Sequence, residues 1–242
     1  MNKIRNIIQG ELFVMHFTDK IRNYEVTAAL PMEDIKISRE YYALAVLKYS
    51  FPEQFSGLRK GESPDLQDVE EGLGVEVTWG GSPRDEIING ESYKYSHAKT
   101  DKDREKCLQQ IRRNGGDRNE YSISYPVSTS DSDKKHIQNV LVKKLKKIDS
   151  YREHFKRLGL AILIDIPLFF FDDPQWGDWL SSLNKDGFDF VALLHWYGVD
   201  MYDFKTSQYE SYRIGRDDRD ALKKMGRMAV EGIIKDDDPV WQ

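Results

Sequence analysis

Three observations predict an α/β protein built on a mixed sheet flanked by helices. Segments with helical spacing alternate with segments of strand type. The run "LGLAILIDIPLFFF" (158–171) is apolar enough for a strand covered on both faces. No repeat of fixed period points to a solenoid or array. With 242 residues, 39% hydrophobic and 32% charged, the chain can bury a substantial core. The expected organisation is a single domain, 1–242, with a core at about 36–166, an insertion at about 80–120, and a C-terminal strand and helices at about 167–242.

Taken in order, "KISREYYALAVLKYSF" carries Ile37, Tyr41, Leu44 and Lys48 at helical spacing. Asp34 or Ser38 can cap it and Pro52 lies just beyond, which predicts a helix over 37–49. Leu66 and Val69 follow, then the turn-like "EEG", then Leu73, Val75 and Val77 alternating with Gly74, Glu76 and Thr78, a hairpin pattern. Residues 80–120 are rich in Gly, Asn, Asp and charge, with one helical patch, "DKDREKCLQQIRRN", stopped by Gly115-Gly116. "EYSISYPV" alternates as a strand, and "STSDSD" offers N-caps for a long helix over 134–158. A buried strand at 160–166 comes next. Asp173-Pro174 opens a short helix with Trp176, Trp179, Leu180 and Leu183, closed by "NKDG". "FDFVALLHWYGV" reads as another buried strand, and a last helix is expected over 217–234.

Charge and cysteine usage exclude some classes. A net charge of −5 argues against a protein that coats nucleic acid, but 134–157 holds nine basic residues against two acids, enough for one basic face on an acidic body. No apolar run is long enough to span a bilayer, and the N-terminal segment lacks a secretion leader, so no membrane contact is expected. A single cysteine, Cys107, fits a reducing cytoplasm. The five histidines lack zinc spacing, and no glycine pattern matches a nucleotide cradle. His195 reads as a satisfied core or rim histidine, and Trp176, Trp179 and Trp196 as core or groove filling.

The chemistry concentrates in "SPDLQDVEEGLGVEVT". Opposing Asp65 to Glu76 on an antiparallel hairpin puts the mirror point between Glu70 and Glu71, pairing Leu66 with Val75 and Asp68 with Leu73. Alternation then sends Leu66, Val75 and Val77 to one face and Asp65, Glu76 and Thr78 to the other, taken as the non-core face. Two carboxylates so close repel unless a cation lies between them or one takes a proton. Mg²⁺ suits such a pair, and a solvated polar edge is the plainer alternative.

The same stretch resembles the core motif of PD-(D/E)XK, or restriction-endonuclease-like, nucleases, in a variant with Glu-Val-Thr in place of acid-x-Lys. Pro64 and Asp65 match the first element and Glu76 the second, while Thr78 stands where the lysine is expected. A helix before the motif, a long helix after it and a further strand agree with that core. The resemblance implies a Mg²⁺-dependent endonuclease, with Mn²⁺ as substitute, hydrolysing phosphodiester bonds of nucleic acid, DNA ahead of RNA. Asp65, Glu76 and the Val77 carbonyl would hold the metal. Glu40 matches the position of an additional acid, although the helix dipole alone accounts for an acid there. Asp85 and Glu86 are picked out by charge alone. A homodimer is compatible with this reading, and a catalytically inactive module that binds nucleic acid or a protein is the alternative.

The missing lysine can come from the following helix. At about 100° per residue from Ile137, the residues Val140, Leu141, Ile148, Tyr151 and Phe155 form an apolar stripe, and Lys144 falls inside it at roughly 20°. Lys144 either snorkels to the boundary or projects towards Glu76. Lys147 sits at the stripe's edge as a second candidate cation, while Lys143 and Lys146 point away and would meet phosphates.

Overall fold

The computed structural model describes residues 17–26, 30–119, 122–126, 130–164, 176–184 and 186–241. A short helix, α1 (Asp19–Arg22), precedes α2 (Met32–Ser50), which begins earlier than the apolar spacing suggests. Glu33 and Asp34 favour that extra turn through the helix dipole, and the cap residue is Pro31 rather than Asp34 or Ser38. Pro52 does not merely follow α2; it opens α3 (Pro52–Phe55). Three antiparallel strands come next, β1 (Arg59–Lys60), β2 (Leu66–Asp68) and β3 (Leu73–Trp79).

The hairpin register is the expected one: Leu66 pairs with Val75, Gln67 with Gly74 and Asp68 with Leu73. Its loop spans Val69 to Gly72, where Gly72 takes a φ of +67° that a residue with a Cβ would resist. The insertion contains two helices. α4 (Pro83–His97) starts in a capping box between Ser82 and Asp85, and α5 (Asp101–Arg113) is capped by Thr100. Asp85 serves there as the N3 residue of the cap, its Oδ2 accepting the Ser82 N–H at 2.9 Å. β4 (Asp117–Arg118) and β5 (Ile123–Ser124) form a separate two-stranded sheet, so the described part of "EYSISYPV" does not join the main one.

The long helix expected over 134–158 divides into α6 (Ser130–Leu145) and α7 (Ile148–Arg152), and Leu158 belongs to the strand β6 (Arg157–Leu163). The break falls at Lys146-Lys147, where neither Gly nor Pro signals it. Beyond the described part of the run at 158–171 come α8 (Trp176–Leu183) and the strand β7 (Phe190–His195). Two strands unforeseen in the sequence follow, β8 (Gly198–Asp203) and β9 (Gln208–Arg213), before α9 (Arg216–Val230), which ends short of Ile234. The Asp173-Pro174 start of α8 and the residues beyond Ile164 lie outside the described residues.

The main sheet has seven strands in the order β1-β2-β3-β6-β7-β8-β9, with β3, β6 and β7 parallel and the outer pairs antiparallel. Alternating residues feed two cores. Val75, Val77, Ala161, Leu163, Ala192 and Leu194 pack with α2 and α9; Leu158, Leu160, Ile162, Val191 and Leu193 pack with α6, α7 and α8. Both faces of the central strands are therefore covered, as the continuous apolar run of β6 requires. Close approach fixes one glycine: a Cβ on Gly159 would lie 2.0 Å from the buried Phe190 ring. No helix among the described residues is long and apolar enough to cross a membrane.

Candidate active site

β2 stops pairing near Leu66, whereas β3 runs on to Trp79, so the second half of β3 lacks a β2 partner beyond Val75. Asp65 occupies that step. Its Oδ2 accepts the Val77 N–H at 2.8 Å, capping the strand edge where a ladder bond would otherwise fall. The N–H and C=O of one strand residue point to the same side, so the Val77 carbonyl is turned towards the same edge.

The carboxylate pair does share a face, but that face is not solvent-exposed. Glu76 pairs in register with Leu160 of β6, on the side covered by α6 and α7, and is 3% exposed; Asp65 is 5% exposed. The sequence assigns only one face to the core because it cannot reveal that a second helical layer closes over the acids. Burial makes the pairing of each charge decisive.

Lys144 is brought to Glu76: its Nζ lies 2.6 Å from Oε1. Lys147 Nζ approaches the same oxygen at 3.5 Å, and the Tyr151 hydroxyl donates to Oε2 at 2.7 Å. Burial alone would raise the Glu76 pKa, but these donors outweigh it, led by the Lys144 hydrogen bond, and hold the carboxyl below its usual range. The Tyr151 hydroxyl is itself pushed up by burial and by its bond to Glu76. Tyr151 was readable only as an apolar-stripe residue. The seven-residue spacing from Lys144 places Tyr151 in the same apolar stripe, but the two side chains meet Glu76 from separate helices, α6 and α7.

Glu40, from α2, is buried beside the pair. Its Oε2 is 2.7 Å from Lys60 Nζ and its Oε1 is 3.3 Å from Lys36 Nζ. Lys36 also reaches to 4.0 Å from Asp65 Oδ1. Lys36 stands four residues before Glu40 on α2, an i, i+4 pair, whereas Lys60 comes from β1 and meets Glu40 only through the packing of α2 against that strand. Three buried carboxylates thus face two sheltered ammoniums, Lys60 and Lys144, with Lys36 and Lys147 largely in solvent. The surplus negative charge falls on Asp65. Its pKa is raised to about 6, first by burial, then by Glu76 and Glu40, against the Val77 N–H and Lys36.

Of the remaining candidates, Thr78 is half-buried on the Glu76 face and Lys143 and Lys146 are exposed. His195 is buried with Nε2 2.7 Å from Asp200 Oδ2, and Cys107 is buried. Trp179 is partly buried against the second core, whereas Trp196 is exposed, belongs to neither core and borders a small surface pocket with Arg219 and Lys223. The Trp176 side chain lies outside the described residues. Comparisons with protein-family models, with curated proteins and with solved structures find no match to this chain.

Proposed function

We propose that the chain is a metal-dependent nuclease of restriction-endonuclease-like fold, hydrolysing phosphodiester bonds of nucleic acid, with DNA as the first substrate to test. The observation that carries the reading is the 2.6 Å contact of Lys144 with Glu76, because it supplies from a neighbouring helix the cation that Thr78 cannot. The order α2, β1–β3, α6–α7, then β6 parallel to β3, supports the fold reading.

The donor chemistry fits a hard divalent cation such as Mg²⁺ or Mn²⁺. Asp65 Oδ1, the Glu76 carboxylate and the Val77 carbonyl are oxygen donors at one strand edge, and the surplus negative charge at Asp65 calls for a cation. Asp65, Glu76 and Val77 would hold the ion, with Glu40 positioned to hold a water at it. When bound, the ion supplies Lewis acidity towards the phosphate and makes water a better nucleophile at neutral pH. The chain's own residues do the rest. Tyr151 fixes the Glu76 rotamer from the protein side, and the Lys144 ammonium offers a fixed positive charge against the charge that develops on the phosphoryl oxygens. Lys147, and the exposed Lys143 and Lys146, provide phosphate contacts along the helical layer.

The inactive-module reading has one observation in its favour: Glu76 is already neutralised by Lys144, Lys147 and Tyr151. Incubation of supercoiled, linear and single-stranded DNA with Mg²⁺ or Mn²⁺ separates the two. The nuclease reading expects cleavage by the wild type and none by folded Asp65→Ala or Glu76→Ala protein. Equal cleavage by all three would refute the site assignment, and no cleavage by any of them would favour the module.

A further inference from the structure

The turn joining β7 to β8 is two residues long, since His195 pairs with Gly198. Such turns favour Asn-Gly or Asp-Gly, yet this one consists of Trp196 and Tyr197, which are 47% and 56% exposed. Gly198, at φ +148°, supplies the conformational freedom that these two residues lack. A local rule broken by two adjacent exposed aromatics points to a role beyond folding.

The turn is also held firmly. The Tyr197 N–H donates to His195 Nδ1 at 3.2 Å, the Ile214 N–H donates to the Tyr197 carbonyl at 2.9 Å, and Arg219 donates to the Trp196 carbonyl. An Nδ1 that accepts leaves the ring proton on Nε2, which faces Asp200 Oδ2 at 2.7 Å. Asp200 Oδ1 accepts the Tyr209 hydroxyl at 2.5 Å. The buried His195–Asp200 pair therefore positions the turn, and two rings with two rotatable bonds each are presented at low entropic cost.

Because β3, β6 and β7 are parallel, the turn lies at the same edge of the sheet as the end of β3. Glu76 registers with Leu160 and Leu160 with Val191. At about 3.3 Å per residue and about 4.8 Å between strands, Trp196 lies roughly 20 Å from Glu76. That is about six nucleotides at the roughly 3.4 Å rise of a stacked strand.

We infer that Trp196 and Tyr197 form a stacking platform for unpaired bases of the nucleic acid whose backbone reaches Asp65 and Glu76, making a strand with a single-stranded segment the substrate. The inference rests on the nuclease reading for the second half of that statement. Arg213, Arg219 and Lys223 border the turn, the Arg219 guanidinium 6.0 Å from the Trp196 ring centre. Asp217 and Asp220 on the same helix temper that charge, so stacking on the two rings supplies a large share of the affinity.

The test is fluorescence anisotropy of a labelled thymidine strand of about twelve nucleotides, one of about three, and a blunt duplex, in EDTA. Trp196→Ala/Tyr197→Ala should weaken binding of the longer strand about 100-fold, about tenfold per ring, while Trp196→Phe/Tyr197→Phe stays within about threefold of wild type. The duplex, which has no unpaired bases, should respond little, and the short strand should bind more weakly than the longer one and lose that binding with the rings. Unchanged binding by the alanine variant at unchanged melting temperature would overturn the inference. So would a wild type that binds no oligonucleotide, which would leave the turn to a protein partner. Cleavage of the longer strand with Mn²⁺ is read in parallel. Asp65-dependent cleavage without aromatic dependence defeats the platform alone; aromatic-dependent binding without Asp65-dependent cleavage defeats the nuclease reading alone.

Discussion

Two buried aspartates, Asp65 and Asp189, sit at opposite ends of the parallel strands and meet opposite fates. Asp189 precedes β7 and is surrounded by donors: Arg152 grips it with two nitrogens at 2.7 and 2.9 Å, the Leu158 N–H donates at 2.7 Å, and Lys205 lies at 3.0 Å. Burial would raise its pKa, but these donors hold it below the ordinary range. Asp65 has one backbone N–H, a lysine at 4.0 Å and two acids nearby, and burial drives it up to about 6. The short helix α7 serves both ends through adjacent residues, Arg152 to Asp189 and Tyr151 to Glu76. A buried acid that is fully matched holds the fold together. One left short of positive charge takes up a proton more readily, and under the proposed reading it is where the metal ion would sit.

The comparison breaks most sharply at Arg152. Arg152→Ala leaves Asp189 buried without its main partner and should cost about 3–5 kcal/mol, lowering the melting temperature by roughly 10 °C in a thermal scan. Next is Lys144→Ala, which should reduce cleavage about 10²–10³-fold, with partial recovery when Thr78→Lys is added to that variant. Failure of Lys144→Ala to slow cleavage would remove the case for a displaced lysine.

Asp65 should behave with the opposite sign to Asp189. Its folded pKa of about 6 exceeds the ordinary value of 3.8, so the metal-free folded state binds more protons between those values. Stability then falls as pH rises from about 4 to about 6 and stays low above that. Asp65→Asn does not ionise and should melt above the metal-free wild type at about pH 8, by at most about 3 kcal/mol, with the gap closing below about pH 4. An Asn variant that melts lower at both pH values would show that Asp65 is matched after all. The smallest stability effect is expected for Lys143→Ala/Lys146→Ala, within about 0.5 kcal/mol, together with a shallower salt dependence of DNA binding.

Much of the site was readable in the sequence because strand and helix periods carry it. Alternation about Glu70-Glu71 gave the register of Leu66 with Val75, and the spacing from Ile137 put Lys144 on the inward face of α6. What escaped notice depends on tertiary packing. Nothing local says that the Glu76 face lies beneath α6 and α7, or that Tyr151 would donate its hydroxyl there. Lys60 reaches Glu40 only because α2 packs against β1, whereas Lys36 is its i, i+4 neighbour on α2. β8 was obscured by Asp200, an acid in a strand interior whose partners His195 and Tyr209 come from the two flanking strands. The break between α6 and α7 has no Gly or Pro to announce it.

Calorimetric titration of the metal-free protein with Mn²⁺ addresses the centre of this account most directly. The expected result is saturable binding at about pH 7.5 that weakens as pH falls through about 6, where protons compete for Asp65, and that disappears in Glu76→Ala. Absence of binding to the wild type, or binding that survives Glu76→Ala unchanged, would contradict it.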